Sequence, residues 1–196
     1  MKEGTRITFV PGIQAIYAEA LKNICYVKKI KIIRVLHPFM GIDKNTGKDR
    51  QARLYELTSQ TSLPTMFHDE ERPRNVWVEQ LALAEKIGSS DSINLIPDNF
   101  QDRSDMFGLC AIVLGEDGLV WNMRILSDGP LARKYGYSDD ASSKAPSKMA
   151  EIVKVIDRQL EKQQEKGSKY LIGDKISAID IYLSLIHISE PTRLQQ

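Results

Sequence analysis

The chain has 196 residues, 42% of them hydrophobic and 27% charged, and a formal charge of +1 from 27 Lys+Arg against 26 Asp+Glu. That length fits one large domain or two small ones, and the composition excludes collagen, long coiled coil and intrinsic disorder. With no net basic field, nucleic acid or an acidic membrane would have to be held by a local patch. The densest basic run, Lys28-Lys29-Ile30-Lys31 with Arg34 nearby, is interleaved with aliphatic residues and reads as a helix end entering a strand, so neither partner is expected. Cys25 and Cys110 each sit in an apolar stretch; a disulfide framework or a zinc site needs more ligands at closer spacing, so both are expected to be buried hydrophobes and no metal site is expected. The opening residues Met1-Lys2-Glu3-Gly4-Thr5 carry no apolar signal core. No segment approaches the roughly 20 apolar residues of a bilayer span. The expected location is cytoplasmic.

Arg6-Ile7-Thr8-Phe9-Val10 is a β-branched and aromatic run stopped by Pro11-Gly12, and predicts a strand. Ile16, Ala20, Leu21, Ile24 and Val27 recur at helical spacing and predict a helix over residues 14–29. Residues 30–36, rich in Ile and Val, predict a second strand. A polar loop over 41–49 leads to a helical segment near 50–57. Ser62-Leu63-Pro64-Thr65-Met66-Phe67 then reads as a strand opened by proline, followed by an acidic turn at Asp69-Glu70-Glu71 and a short strand. Residues 74–87 predict a helix, with Gly88 in the C-cap role. A strand-helix-strand unit of this length favours a parallel pair with a right-handed crossover.

Residues 88–97 are a linker by composition, and past them the strand signals largely vanish. Residues 102–114 and 148–166 predict amphipathic helices, the second with Met149, Ile152, Val153, Ile156 and Leu160 in one stripe. The polar, Ala-rich stretch 138–147 predicts a loop. An α/β half followed by an all-helical half predicts two cores that dock.

The sharpest local signal is Ile176-Ser177-Ala178-Ile179-Asp180-Ile181-Tyr182. Ser177 can cap the amide three residues on while the Asp180 carboxylate reaches back to the Ser177 amide, a capping box with Asp in place of Glu; Ile176 and Ile181 can close over it as a hydrophobic staple. In its wider context, Tyr170-Leu171-Ile172-Gly173-Asp174-Lys175 running into this box, the segment resembles the one that starts a buried C-terminal-domain helix in cytosolic glutathione transferases. Ser62-Leu63-Pro64-Thr65 resembles that family's loop with a cis proline, and Leu83-Ala84-Glu85-Lys86-Ile87-Gly88 the end of its third helix.

The resemblance covers the chain up to Tyr182 and implies an α/β thioredoxin-like domain followed by an all-α helical domain. The implied boundaries are residues 1–88 for the first, 89–100 for a linker and 101–182 for the second. It implies that glutathione is bound as a substrate or thiol cofactor and conjugated to a small apolar electrophile. The alternative is a non-catalytic binding or partner-docking module of the same fold. Family members are commonly dimers, so a homodimer is a further expectation from the resemblance.

A free thiol titrates at about 8.5, so glutathione chemistry at neutral pH needs thiolate stabilisation. The first-helix N-terminus can supply it through unpaired amides and the helix dipole, and the family usually adds a Tyr, Ser or Cys there. This chain reads Val10-Pro11-Gly12-Ile13-Gln14-Ala15-Ile16-Tyr17, which is similar to the Pro-Gly-x-Cys-Ser entry of some bacterial members with Gln14 and Ala15 at the Cys and Ser positions. Neither is a nucleophile; Gln14 can donate an amide hydrogen bond to sulfur, and Tyr17 follows one turn on. By the same resemblance, Leu63 pairs its backbone with the cysteinyl part of glutathione beside Pro64. The family's acidic-Ser pair has no clean match in Arg72-Pro73-Arg74-Asn75-Val76. Arg74 and Asn75 can hold a carboxylate, whereas the γ-glutamyl amine would fall to Glu70 or Glu71. Trp121 is a candidate for the lining of an apolar acceptor pocket.

His37 at a strand end and the exposed turn pair His68-Asp69 have no nucleophile or orienting group in sequence reach. Asp43-Lys44-Asn45-Thr46-Gly47-Lys48-Asp49 alternates oxygen ligands but lacks the bidentate Glu of a calcium loop. The last stretch, Leu183-Ser184-Leu185-Ile186-His187-Ile188-Ser189-Glu190-Pro191-Thr192-Arg193, resembles no glutathione transferase and back-translates into a transposon-end sequencing adaptor. Residues 183–196 are therefore expected to be non-native, and the helical domain truncated.

Overall fold

The computed structural model describes residues 3–13 and 15–189. The chain divides into two compact units, Met1–Ile93 and Asn94–Gln196. In the first, β1 (Thr5–Phe9), α1 (Ile16–Val27), β2 (Ile32–Leu36), α2 (Ala52–Thr58), β3 (Met66–His68) and α3 (Trp77–Ile87) follow in order. The sheet runs β2-β1-β3: β1 is parallel to β2, with Ile7 opposite Arg34, and antiparallel to β3, with Ile7 opposite Met66. The expected short strand after the acidic turn is reduced to one antiparallel bridge, Met66 with Arg74. Pro73, which has no amide to donate, stands immediately before it.

Ile7 from β1, Leu21 and Cys25 from α1, Met66 from β3 and Leu83 from α3 form the buried core, with Phe9, Ile30, Ile32 and Ile87 packed around it. α1 thus contributes Leu21 and Cys25 to this core and α3 contributes Leu83. Gly88 does end α3, but with φ −62° and ψ 156°, an ordinary extended backbone. Its glycine identity answers to space: a Cβ there would lie 2.5 Å from Lys28 Cε and 2.9 Å from the Ala84 carbonyl oxygen.

The second unit consists of α4 (Phe100–Leu114), α5 (Leu119–Arg124), α6 (Pro130–Lys134), α7 (Asp139–Glu165) and α8 (Ala178–Ser189). α4 is central, burying Met106, Leu109, Cys110, Val113 and Leu114. Phe100–Arg124 as one stretch is long and apolar enough to cross a membrane. Here Gly115-Glu116-Asp117-Gly118 breaks it into two helices, with Met106, Leu109, Cys110, Val113, Leu114, Leu119 and Val120 buried and Phe100 exposed.

The loop expected at 138–147 is the first part of α7. Ser138 caps the helix by accepting from the Ala141 amide at 3.1 Å, Asp139 and Asp140 favour the positive helix end, and Lys144 pairs with Asp140. Together with the complete burial of Ala145, these offset Pro146, which costs a helix interior about 3 kcal/mol.

The start of α8 differs in detail from a capping box. The Asp180 carboxylate accepts from the Ser177 amide (2.8 Å), as expected, but also from the Ser177 hydroxyl (2.9 Å) and from the Leu171 amide (2.9 Å). The Ser177 hydroxyl is therefore a donor to Asp180. α8 continues through Leu185 and Ile186, both buried, while Pro191 lies outside the described residues.

Candidate functional site

β1 ends in a Pro-Gly turn, with the Ile13 amide donating to the Val10 carbonyl at 3.4 Å and Gly12 at φ +73°. A proline followed by a residue of positive φ is the type II arrangement. α1 starts on Ala15 with no side-chain cap, so its first-turn amides receive no acceptor from the cap residue. Gln14, the expected sulfur-facing donor, lies outside the described residues. Tyr17 is half-buried in the first turn. Beside this turn, Phe9, Val10, Gly12, Ile13, Glu19, Lys22, Arg34 and Leu36 line an open groove of about 590 Å³. In it the Lys22 ammonium sits 5.8 Å from the Phe9 ring centroid.

The Leu63-Pro64 peptide is cis. The loop around it is tied down on both sides. Thr8 of β1 accepts from the Thr65 amide through its hydroxyl (2.7 Å) and donates its own amide to the Thr65 carbonyl (3.0 Å). The Thr65 hydroxyl donates to the Ser62 carbonyl (2.9 Å) and accepts from Gln60 Nε2 (3.1 Å). The Pro64 carbonyl accepts from Gln80 Nε2 of α3 at 2.8 Å. No hydrogen bond among the described residues uses the Leu63 amide or carbonyl.

Nine residues on, the entry to α3 is an ion-pair cluster. Arg74 donates to Glu71 at 2.8 Å and to the Arg72 carbonyl, Lys86 binds the other Glu71 oxygen at 2.7 Å, and Arg72 pairs with Glu79. The Lys86 ammonium, and with it Arg74, holds the Glu71 carboxyl below its ordinary range. The two candidates for opposite ends of a ligand, Arg74 and Glu71, thus bind each other, a pairing invisible in the sequence. Asn75 is half-buried, and Val76 caps α3 without a side-chain hydrogen bond. The structure therefore brings Leu63, Pro64, Arg74 and Asn75 together around one helix entry. Trp121 belongs to the second unit, where it meets Tyr135 edge-on at 4.6 Å.

The remaining candidates have structural partners. His68 is half-buried, with Nδ1 3.0 Å from the Thr5 hydroxyl, and so is not the exposed turn residue expected. His37 Nδ1 lies 2.9 Å from the Pro38 carbonyl. Asp43 caps its own loop through the Asn45 and Thr46 amides, which lower its pKa. Among the described residues no cluster of three His, Cys, Asp or Glu could hold a metal ion.

Cys25 and Cys110 are buried, and burial pushes the Cys25 thiol up to about 12 and raises Cys110 as well. At pH 8 a thiol titrating four pH units higher is thiolate in about one molecule in ten thousand. Iodoacetamide at pH 8 is therefore expected to label neither cysteine in the folded protein and both in urea; rapid labelling of native Cys25 would contradict its burial.

Thr8, Gln60, Thr65 and Gln80, the side chains that shape the proline loop, carry no recognisable motif in the sequence. Only Gln80 left a trace, as a polar residue beside Leu81, Leu83 and Ala84 on the buried side of α3.

No protein-family model and no curated protein sequence matches the chain. Solved structures do. A glutathione S-transferase from Methylobacillus flagellatus with glutathione bound is 13% identical, with a TM-score of 0.71 over 97% of this chain and 85% of that one. Yeast Ure2p in complex with glutathione is 12% identical, with a TM-score of 0.73 over 100% and 87%. A glutathione transferase homologue from Lodderomyces elongisporus with two glutathiones per subunit is 12% identical, with a TM-score of 0.71 over 99% and 86%. The chain has the glutathione-transferase fold, a thioredoxin-like unit followed by an all-helical one.

Proposed function

We propose that the protein binds glutathione along the Leu63-Pro64 segment and presents its thiol to the start of α1, as a cytoplasmic glutathione-transferase-like enzyme acting on a small apolar electrophile. In this reading residues 1–88 are the glutathione-binding domain, 89–100 a linker and 101–182 the helical domain, and the active assembly is a homodimer. The observation that carries it is the cis Leu63-Pro64 turn, whose flanks are anchored to β1 and α3 while the Leu63 backbone groups have no partner among the described residues. An extended peptide such as glutathione can pair with those two groups as a strand would.

The thiolate would face the uncapped start of α1, where amides and dipole favour an anion, with Gln14 donating to sulfur and Tyr17 behind it. Arg74 and Asn75 would take a carboxylate, which has to compete with Glu71 for the guanidinium. Trp121 would supply an apolar surface to the electrophile.

Calorimetric titration of the chain with glutathione is expected to give saturable heat in the millimolar range or tighter. No heat at millimolar glutathione would sink the reading. Turnover of an activated aryl chloride left unchanged by Gln14→Ala would remove Gln14 from the mechanism.

A second reading, a non-catalytic module of the same fold that binds a ligand or a partner, is favoured by Gln14-Ala15 at the helix start and by the burial of both thiols. Ure2p, described as a nitrogen-regulation fragment, is a neighbour not named for transfer. Saturable glutathione binding without turnover would select this reading.

A further inference from the structure

We propose that Gln80 is a positioning residue: its side-chain amide holds the cis-proline loop and the entry to α3 at a fixed separation, and so sets the geometry of the backbone that meets the ligand. The side chain is buried, with the residue 4% exposed. Its Nε2 donates to the Pro64 carbonyl at 2.8 Å and to the Arg74 carbonyl at 3.1 Å. A primary amide has two protons on one nitrogen, and here each goes to a different backbone segment. The first follows Leu63 directly. The second precedes Asn75 and is bridged to β3, since the Met66 amide donates to Arg74 at 2.7 Å and the Arg74 amide to Met66 at 2.8 Å. One planar group thus joins two loops ten residues apart at the helix entry.

No apolar side chain could do this, and a buried carbonyl without a donor is costly. A helix facing a core normally fills such a position with an aliphatic residue. Without Gln80 the Pro64 carbonyl would be buried with no donor, and the Arg74 carbonyl would keep only the Met66 amide.

The inference rests on the reading that glutathione lies along Leu63-Pro64, and its test separates the two. Gln80→Met keeps the length of the side chain and removes both protons; Ile24→Val trims a buried residue of α1 away from the loop and serves as the stability control. In the ligand-free protein, Gln80→Met is expected to raise the hydrogen-exchange rates of the Thr65, Met66 and Arg74 amides, which Ile24→Val leaves at wild-type values. In calorimetry, Gln80→Met is expected to weaken glutathione binding about tenfold, the effect of roughly one net hydrogen bond, whereas Ile24→Val changes it less than twofold.

Unchanged exchange at all three amides overturns the positioning role whatever the ligand does. Raised exchange together with an unchanged dissociation constant overturns its importance for binding. Wild-type protein that takes up no glutathione, while Gln80→Met still raises exchange, overturns the glutathione reading and supports the loop-holding role alone. If Gln80→Met does not fold, Gln80→Glu preserves the shape. Its glutathione affinity is expected to rise as the pH falls, because only the protonated carboxyl can donate to a carbonyl; a flat profile counts against the role.

Discussion

Asp180→Ala is expected to lower the unfolding free energy of the helical unit by about 3 kcal/mol. Hydrogen bonds to a charged group contribute roughly 1.5–3 kcal/mol each, and donors left buried without an acceptor add to the loss. Three donors lose their acceptor at once: the Leu171 amide, the Ser177 amide and the Ser177 hydroxyl. All three lie before the helix, on Leu171 and Ser177, so the carboxylate fixes the path of the incoming chain as well as the first turn.

Apolar burial adds to this: Leu171 and Ile172 are buried, as are Ala178, Ile179 and Ile181, and their burial depends on the path that Asp180 sets. Urea unfolding in a Trp77→Phe background, which leaves Trp121 of the helical unit as the reporter, measures the change. Asp180→Asn retains one acceptor oxygen and is expected to lose about half as much. Ser177→Ala removes only a donor to Asp180 and should cost under about 1 kcal/mol. An Asp180→Ala midpoint equal to wild type would remove the carboxylate from the account of this helix.

What the sequence made legible was chemistry confined to a few neighbouring residues. Ser177 and Asp180 are three apart, and the meaning of such a pair survives without knowledge of the fold. Leu63-Pro64 was readable through resemblance, and its cis peptide is present. The apolar spacing of residues 16–27 placed α1 on its core.

A sequence is silent where distant partners decide. Residues 138–147 looked like a loop because Pro146 and the polar residues weigh against a helix locally. The Ser138 cap and the burial of Ala145 weigh the other way, and the latter is a tertiary fact. Nothing in a sequence says that Arg74 and Glu71 face each other, or that Lys86 joins them from the far end of α3. Gln80 is silent in the sequence for the same reason: its acceptors are 16 and 6 residues away, and a lone polar residue on an apolar helix face has no signature until those carbonyls are placed.

Lys28→Ala is expected to cost the first unit about 3 kcal/mol, through a buried ion pair that also fixes the way out of the unit. The Lys28 side chain is 3% exposed and its ammonium lies 2.8 Å from the Glu85 carboxylate, itself 17% exposed. It also donates to the Ile93 carbonyl at 3.0 Å, while the Ser89 amide donates to the Lys28 carbonyl at 3.0 Å. The end of α1, the end of α3 and the chain leaving α3 therefore converge on one residue. Removing one member of such a pair costs roughly 3–5 kcal/mol because the other charge stays desolvated, whereas replacing both by apolar groups is often neutral.

The double change Lys28→Met with Glu85→Leu is accordingly expected to unfold within about 1 kcal/mol of wild type. If the double variant is as unstable as the single one, the lost bond to Ile93 is the cause rather than the ion pair. Gly88 supplies an independent check on the same contact. Its backbone is unstrained, so Gly88→Ala can destabilise only by crowding, against Lys28 Cε at 2.5 Å and the Ala84 carbonyl oxygen at 2.9 Å; overpacking of this kind costs about 1–3 kcal/mol. In a Lys28→Ala background the first contact disappears and the second remains. The penalty of Gly88→Ala should therefore shrink there without vanishing, and full additivity of the two changes would mean that Lys28 and Gly88 do not share the space assigned to them.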